Sequence, residues 1–160
     1  MIAKRPKKYT VIILFNGDGS KILLQTKDRT KYAGMLNGVG GKVEPGETPK
    51  LAARREVHEE TTLTSGDIEN FTWLGTLTIP ERCDIYHPEF IPELWFYTGR
   101  VRDESKAQKP SDETEEIAWY GLRNDDTVVT DMELAGDGNL PYFIHQARKA
   151  LFGGNPVNFE

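Results

Sequence analysis

Gly41-Lys42-Val43-Glu44-Pro45-Gly46-Glu47-Thr48-Pro49-Lys50-Leu51-Ala52-Ala53-Arg54-Arg55-Glu56-Val57-His58-Glu59-Glu60-Thr61-Thr62-Leu63 is the stretch on which the reading of this chain turns. Pro45-Gly46 marks a turn. Thr48-Pro49 is a strong helix start, because a threonine hydroxyl can cap the first free N–H groups and proline suits the first helical position. The helix is expected to run to about Thr61. Inside it, Glu56, Glu59 and Glu60 recur at three and four residues, and at about 100° per residue their carboxylates fall within a ~100° sector of one face. Carboxylates crowded this way repel unless something positive sits among them. Oxygen-rich clusters suit Mg²⁺ and Mn²⁺, hard cations that also bind substrate phosphates. Glutamates at this spacing alone leave open a plain solvated acidic face. Just upstream, Gly40 and Gly41 let the backbone approach a metal or a phosphate closely, or simply make a tight turn.

Outward from this stretch the chain alternates between strand and loop composition. Tyr9 to Phe15 and Lys21 to Thr26 flank the turn signal Asn16-Gly17-Asp18-Gly19 and read as a hairpin. Lys27 to Gly34 is polar. Phe71 to Ile79, Glu93 to Val101 and Ile117 to Leu122 have strand composition, with a proline-rich loop expected from Pro80 to Pro92 and an acidic connection from Lys106 to Glu116. Leu140 to Phe152 has apolar residues at helical spacing and stops at Gly153-Gly154. Trp73, Trp95 and Trp119 are expected mostly in the core. With no linker evident, residues 1–160 read as a single domain: an α/β (α+β) chain with a mixed central sheet covered on both faces.

Composition narrows the function classes. With 20 basic against 25 acidic residues, the net charge of -5 provides no global field for coating nucleic acid. The cluster Lys4, Arg5, Lys7, Lys8 is expected to be a flexible solvated end. The longest strongly apolar run, Val11 to Phe15, is far short of the ~20 residues of a membrane span, and Met1 to Lys8 lacks the features of a secretory signal. A lone cysteine, Cys83, suits a cytoplasmic location. With His58, His87 and His145 scattered, any metal must be held by oxygen rather than by imidazole and thiolate.

Gly41, Glu47, the run Arg55 to Glu60, and Leu63 together resemble the Nudix box, G-x5-E-x7-R-E-U-x-E-E-x-G-U with U aliphatic. Every specified position matches except Thr62, where the family has glycine. The resemblance implies a Nudix-like α/β/α sandwich with a catalytic loop-helix-loop, and a hydrolase that cuts a nucleoside diphosphate linked to another group. It also implies that Glu56, Glu59 and Glu60, with the Gly40 carbonyl, hold one or more Mg²⁺ (Mn²⁺ as substitute). One glutamate acts as general base; Glu59 is favoured and Glu56 is close behind. A further carboxylate often arrives from a later loop: Glu113, with Glu116 as alternate, against the reading of a solvated acidic loop. Glu47 and Arg55 are read as a supporting ion pair beside Gly41. The family glycine serves a left-handed C-cap, so with Thr62 the helix is expected to exit differently, turning later near Gly66.

Leu36-Asn37-Gly38-Val39-Gly40-Gly41-Lys42-Val43 is similar to the segment preceding the box in the MutT-type branch, which acts on oxidised purine nucleotides. By that resemblance Asn37 contacts the nucleobase, its amide both donating and accepting; the alternative is a turn-stabilising asparagine beside glycine. Met132 to Asp137, followed by Tyr142 and Phe143, is similar to the base-side loop of the same branch. Asp137 is then a second base contact, although some members carry an aspartate pair where this chain has Ala135-Gly136. Lys42 meets a phosphate or is merely solvated. The expected activity is conversion of a nucleoside triphosphate such as 8-oxo-dGTP to monophosphate and pyrophosphate, by a monomer or homodimer with no stable nucleic-acid or membrane partner. The alternatives are another Nudix substrate (ADP-ribose, a nucleotide sugar, a dinucleoside polyphosphate) and a non-catalytic nucleotide-binding module.

Overall fold

The computed structural model describes residues 5–29, 32–79, 90–136 and 138–153. Its strands are β1 (Arg5–Phe15), β2 (Lys21–Thr26), β3 (Leu36–Asn37), β4 (Ile68–Thr78), β5 (Phe90–Val101) and β6 (Ile117–Gly121), and its helices are α1 (Pro49–Thr61) and α2 (Asn139–Phe152). The strands form one mixed sheet in the order β3-β2-β1-β5-β4, with β6 added on β2. The β1–β2 hairpin is antiparallel, and β1 runs parallel to β5 from the pair Arg5↔Phe90 to Phe15↔Arg100.

The uninterrupted apolar run of β1 reflects burial on both of its faces, as expected of a strand in the middle of a covered sheet. Val11, Ile13 and Phe15 point into a core shared with Leu140, Phe143, Ile144 and Ala147 of α2. Ile12 and Leu14 alternate to the other face and pack with Ala53 and Val57 of α1. One helix therefore covers each face, giving the α/β/α sandwich.

Three expectations need correction. Arg5, Lys7 and Lys8 belong to β1, not to a loose end: strand pairing uses their backbone, while Lys7 and Lys8 lie over the rings of Tyr9 and Trp95. Phe90 to Pro92 is strand, paired with Arg5 to Lys7, so the proline-rich loop ends earlier than expected; residues 80–89 lie outside the described part. Trp73, on β4, is 54% exposed with its ring resting against Trp95, whereas Trp95 and Trp119 do pack against the core.

Candidate active site

The helix that carries the glutamates starts where the Thr48-Pro49 pair dictates: Thr48 Oγ1 accepts from the Leu51 N–H at 3.2 Å. Ahead of it, the chain from Leu36 to Val43 splits β1 from β2. Asn37 pairs with Gln25 of β2, and the carbonyls of Val39 and Gly41 then accept from the N–H groups of Ile12 and Thr10 of β1. Gly40 is required here by contact with backbone, and Gly41 lets the Glu56 carboxylate come close. A Cβ on Gly40 would collide with the Thr10 carbonyl, and one on Gly41 would stand 2.5 Å from Glu56 Oε1.

Arg55 organises the acidic face. It grips Glu47 with two bonds, Nη2 to Oε1 at 2.6 Å and Nε to Oε2 at 3.1 Å, and donates to the Lys42 carbonyl at 3.0 Å. Because the Glu47 carboxylate also accepts the Glu44 N–H at 2.8 Å, the pair staples the incoming loop to the helix. Arg55 Nη1 reaches Glu56 at 3.0 Å and Glu59 at 3.1 Å as well. The guanidinium holds the Glu47 carboxyl below the usual range.

The three box glutamates sit in different surroundings. Glu59 is exposed and Glu56 is half-buried against Gly41. Glu60 is buried, and its Oε2 accepts the Gly40 N–H at 2.8 Å. Burial pushes the Glu60 carboxyl up to about 8, with Glu56 and Glu113 adding repulsion, and the Gly40 N–H and Lys27 opposing. Burial also raises Glu56 despite its bond to Arg55. Among the described residues no group of three or more acidic, imidazole or thiol side chains is already gathered for an ion; Glu56 and Glu59 are drawn to Arg55 instead. The donor chemistry nevertheless fits a hard divalent cation. All the donors are oxygen, and the partly desolvated carboxylates resist ionising beside one another, a repulsion that a cation would offset.

Thr62 does not delay the helix exit. It takes the left-handed conformation itself (φ 64°, ψ -3°), with its N–H bonded to the His58 carbonyl at 3.0 Å. Its hydroxyl donates to the Lys106 carbonyl at 3.1 Å, and Leu63 is buried in the α1-side core directly after the turn. Those tertiary contacts override the β-branched side chain's preference.

Asn37 lies beside the segment expected to read the base: Leu36 exchanges backbone bonds with Glu133 and Ala135. Asn37 Oδ1 also accepts its neighbour Gly38 N–H at 2.9 Å, as a turn-stabilising asparagine would. Asp137 lies outside the described residues. Lys42 is exposed, and its carbonyl supports Arg55. Glu116 is exposed and paired with Lys109 at 2.8 Å. Glu113, by contrast, is near enough to raise the Glu60 carboxyl.

Sequence reasoning did not find Gln25, Lys27 or Glu115. Lys27 is bonded to Glu115 at 3.1 Å, and fully buried Gln25 has an Nε2 without a partner among the described residues. No local spacing links positions 27 and 115. The one available signal was a glutamine closing the apolar run Ile22 to Leu24.

An α/β/α sandwich with a glutamate-bearing loop-helix-loop packed on a split sheet defines a class of fold and site together. The family model of the NUDIX domain matches residues 5–126. The chain belongs to the Nudix family. Among curated relatives it is 54% identical over 44 residues to an oxidized purine nucleoside triphosphate hydrolase of Danio rerio, covering 28% of each chain. It is 34% identical over 83 residues to the Mus musculus protein of the same name, covering 49% of this chain and 50% of that one. These matches thus span half or less of the relatives' length. A MutT NUDIX hydrolase from Burkholderia pseudomallei superposes with a TM-score of 0.66 at 20% identity, over 89% of this chain and 98% of that one. The NUDIX domain of Shewanella oneidensis NrtR, solved with ADP ribose, superposes with a TM-score of 0.69 at 22% identity, over 92% and 90%. These likenesses carry the fold. No helix among the described residues is long and apolar enough to cross a membrane.

Proposed function

We propose that this chain is a cytoplasmic, Mg²⁺-dependent Nudix hydrolase, one domain over residues 1–160, that converts a purine nucleoside triphosphate to monophosphate and pyrophosphate. An oxidised purine such as 8-oxo-dGTP is its substrate. The observation that carries the reading is the packing of Glu56 and Glu60 against Gly41 and Gly40, with Arg55 stapled to Glu47 beside them. Glu56, Glu59, Glu60, Glu113 and the Gly40 carbonyl are the residues that would hold the cation. A bound divalent ion supplies charge neutralisation on the phosphates and a more acidic attacking water. Glu59, which is exposed, would serve as the general base for the attacking water, with Glu56 as the alternate base. Lys42 meets a phosphate, and Asn37 and Asp137 read the base. The names of the vertebrate relatives and the approach of the 133–135 segment to Leu36 support a purine triphosphate.

The test is a product analysis with Mg²⁺ and a panel of 8-oxo-dGTP, ordinary dNTPs, ADP-ribose and a diadenosine polyphosphate. Pyrophosphate released from 8-oxo-dGTP with the highest kcat/KM is the expected result. Preferred cleavage of ADP-ribose or a dinucleotide overturns the substrate but keeps the box chemistry. Binding without turnover makes the chain a nucleotide-binding module.

A further inference from the structure

The segment from Ser111 to Glu116 lies in no helix or strand, yet it carries Glu113. Its fastening is Glu115. One carboxylate oxygen of Glu115 receives Lys27 Nζ at 3.1 Å, and the other receives the Asp28 N–H at 2.9 Å. Both partners follow directly on β2. The Glu115 side chain is only 14% exposed, so its charge-assisted bond to Lys27 is partly sheltered from water. The next residue continues the attachment, since the Glu116 carbonyl accepts the Thr26 N–H at 2.8 Å.

Lys27 is itself braced from below. Its ammonium donates a long bond, 3.4 Å, to Oε1 of the buried Gln25. On the loop side, Glu113 Oε1 accepts the N–H groups of Thr114 and Glu115 at 3.0 and 3.1 Å, which ties the orientation of Glu113 to the place where Glu115 is anchored.

We infer that Glu115 is a positioning residue: its two-point attachment to Lys27 and the Asp28 backbone anchors the loop and, through the bonds of Glu113 to the Thr114 and Glu115 N–H groups, sets the orientation in which the Glu113 carboxylate joins the cation-binding set. The inference rests on the proposed divalent-metal reading of the site. Glu115 contacts neither the cation nor the nucleotide in this scheme and acts entirely through Glu113. Outer partners of this kind alter metal affinity by about 10–100-fold when removed.

The experiment measures Mn²⁺ affinity of the full, nucleotide-free chain from the electron paramagnetic resonance of free Mn²⁺. Four proteins are compared: wild type, Glu115→Ala, Glu113→Gln and the double variant, each checked for folding by circular dichroism. Glu115→Ala is expected to weaken Mn²⁺ binding about 10–100-fold in the wild-type background, and by less than about threefold once Glu113 is already neutralised. Should the alanine variant fail to fold, Glu115→Gln keeps an oxygen for the Asp28 N–H and is expected to show the same non-additivity at smaller amplitude. Unchanged affinity in a folded Glu115 variant, or an equal loss in both backgrounds, overturns the inference. A wild-type chain that binds no Mn²⁺ overturns the metal-site reading along with it, and hydrolysis by the wild type tells the two failures apart.

Discussion

Gly41→Ala places one methyl group against one carboxylate, so its consequence can be worked from the structure. The added Cβ would lie 2.5 Å from Glu56 Oε1, 2.7 Å from its Cδ and 3.0 Å from its Oε2. Ordinary contact requires the carboxylate to retreat by roughly an ångström. It cannot do so freely, since Oε1 is also the acceptor of the 3.0 Å bond from Arg55, and the side chain is only 14% exposed. Displacing a catalytic group by ~1 Å costs on the order of 100-fold in rate, or about 2.7 kcal/mol of barrier. We expect Gly41→Ala to lower kcat by about that factor in a pyrophosphate-release assay, with a change in Tm of only a few degrees. Gly46→Ala is the control. Gly46, unlike Gly41, has a positive φ, 84°, and its Cβ would meet nothing within 4 Å, so Gly46→Ala is expected to lose about 1 kcal/mol of stability and little kcat. A Gly41→Ala enzyme retaining kcat within about twofold of wild type would refute the argument that Glu56 works from its seat on Gly41.

Four further outcomes are expected. Glu59→Gln should reduce kcat by about 10²–10⁴-fold as the loss of a general base, with KM little changed; near-full turnover moves that role to Glu56. Asn37→Ala should raise KM for the purine triphosphate while leaving kcat for a poorly recognised pyrimidine triphosphate similar, and an unchanged KM removes Asn37 as the base reader. Asp126, buried and with φ 66°, accepts from His145 at 2.7 Å and Arg148 at 2.9 Å of α2. Because those partners are partly exposed, Asp126→Ala should cost about 2 kcal/mol in urea unfolding, and a loss under about 0.5 kcal/mol would mean the clasp does not hold α2 to the turn after β6. The hydroxyl and N–H of Thr64 hold the Asp67 carboxyl below its ordinary 3.8, so it contributes stability that is present above that value and lost as pH falls through the lower folded one. The Tm gap between wild type and Asp67→Asn should therefore narrow on acidification from pH 6 to pH 3, and a gap independent of pH would contradict the assignment.

The loop-helix-loop was legible because its signals are local. The Thr48 cap, the proline at the first helical position and the recurrence of Glu56, Glu59 and Glu60 all act within a few residues, and α1 forms where they direct. The hairpin and the α2 stop at Gly153 were readable for the same reason. The Glu47–Arg55 pair was accessible through the resemblance alone, since only the folded turn at Pro45-Gly46 brings position 47 back to position 55.

Acting alone, the sequence determined the α1 start, the β1–β2 hairpin, the α2 stop and the face of α1 on which Glu56, Glu59 and Glu60 lie. These follow from backbone sterics, capping and periodicity, each a property of neighbours along the chain. Tertiary structure decided the rest. It left Glu59 in water and buried Glu60, since burial depends on how α1 sits over the split between β1 and β2. It turned Thr62 left-handed through the hold of Lys106 and the burial of Leu63, and drew Arg5 to Lys8 into β1 through pairing with β5. It also set Glu115 on Lys27 across 88 residues. Contacts between distant segments leave no periodic trace, because they depend on packing the whole sheet and not on any interval along the chain.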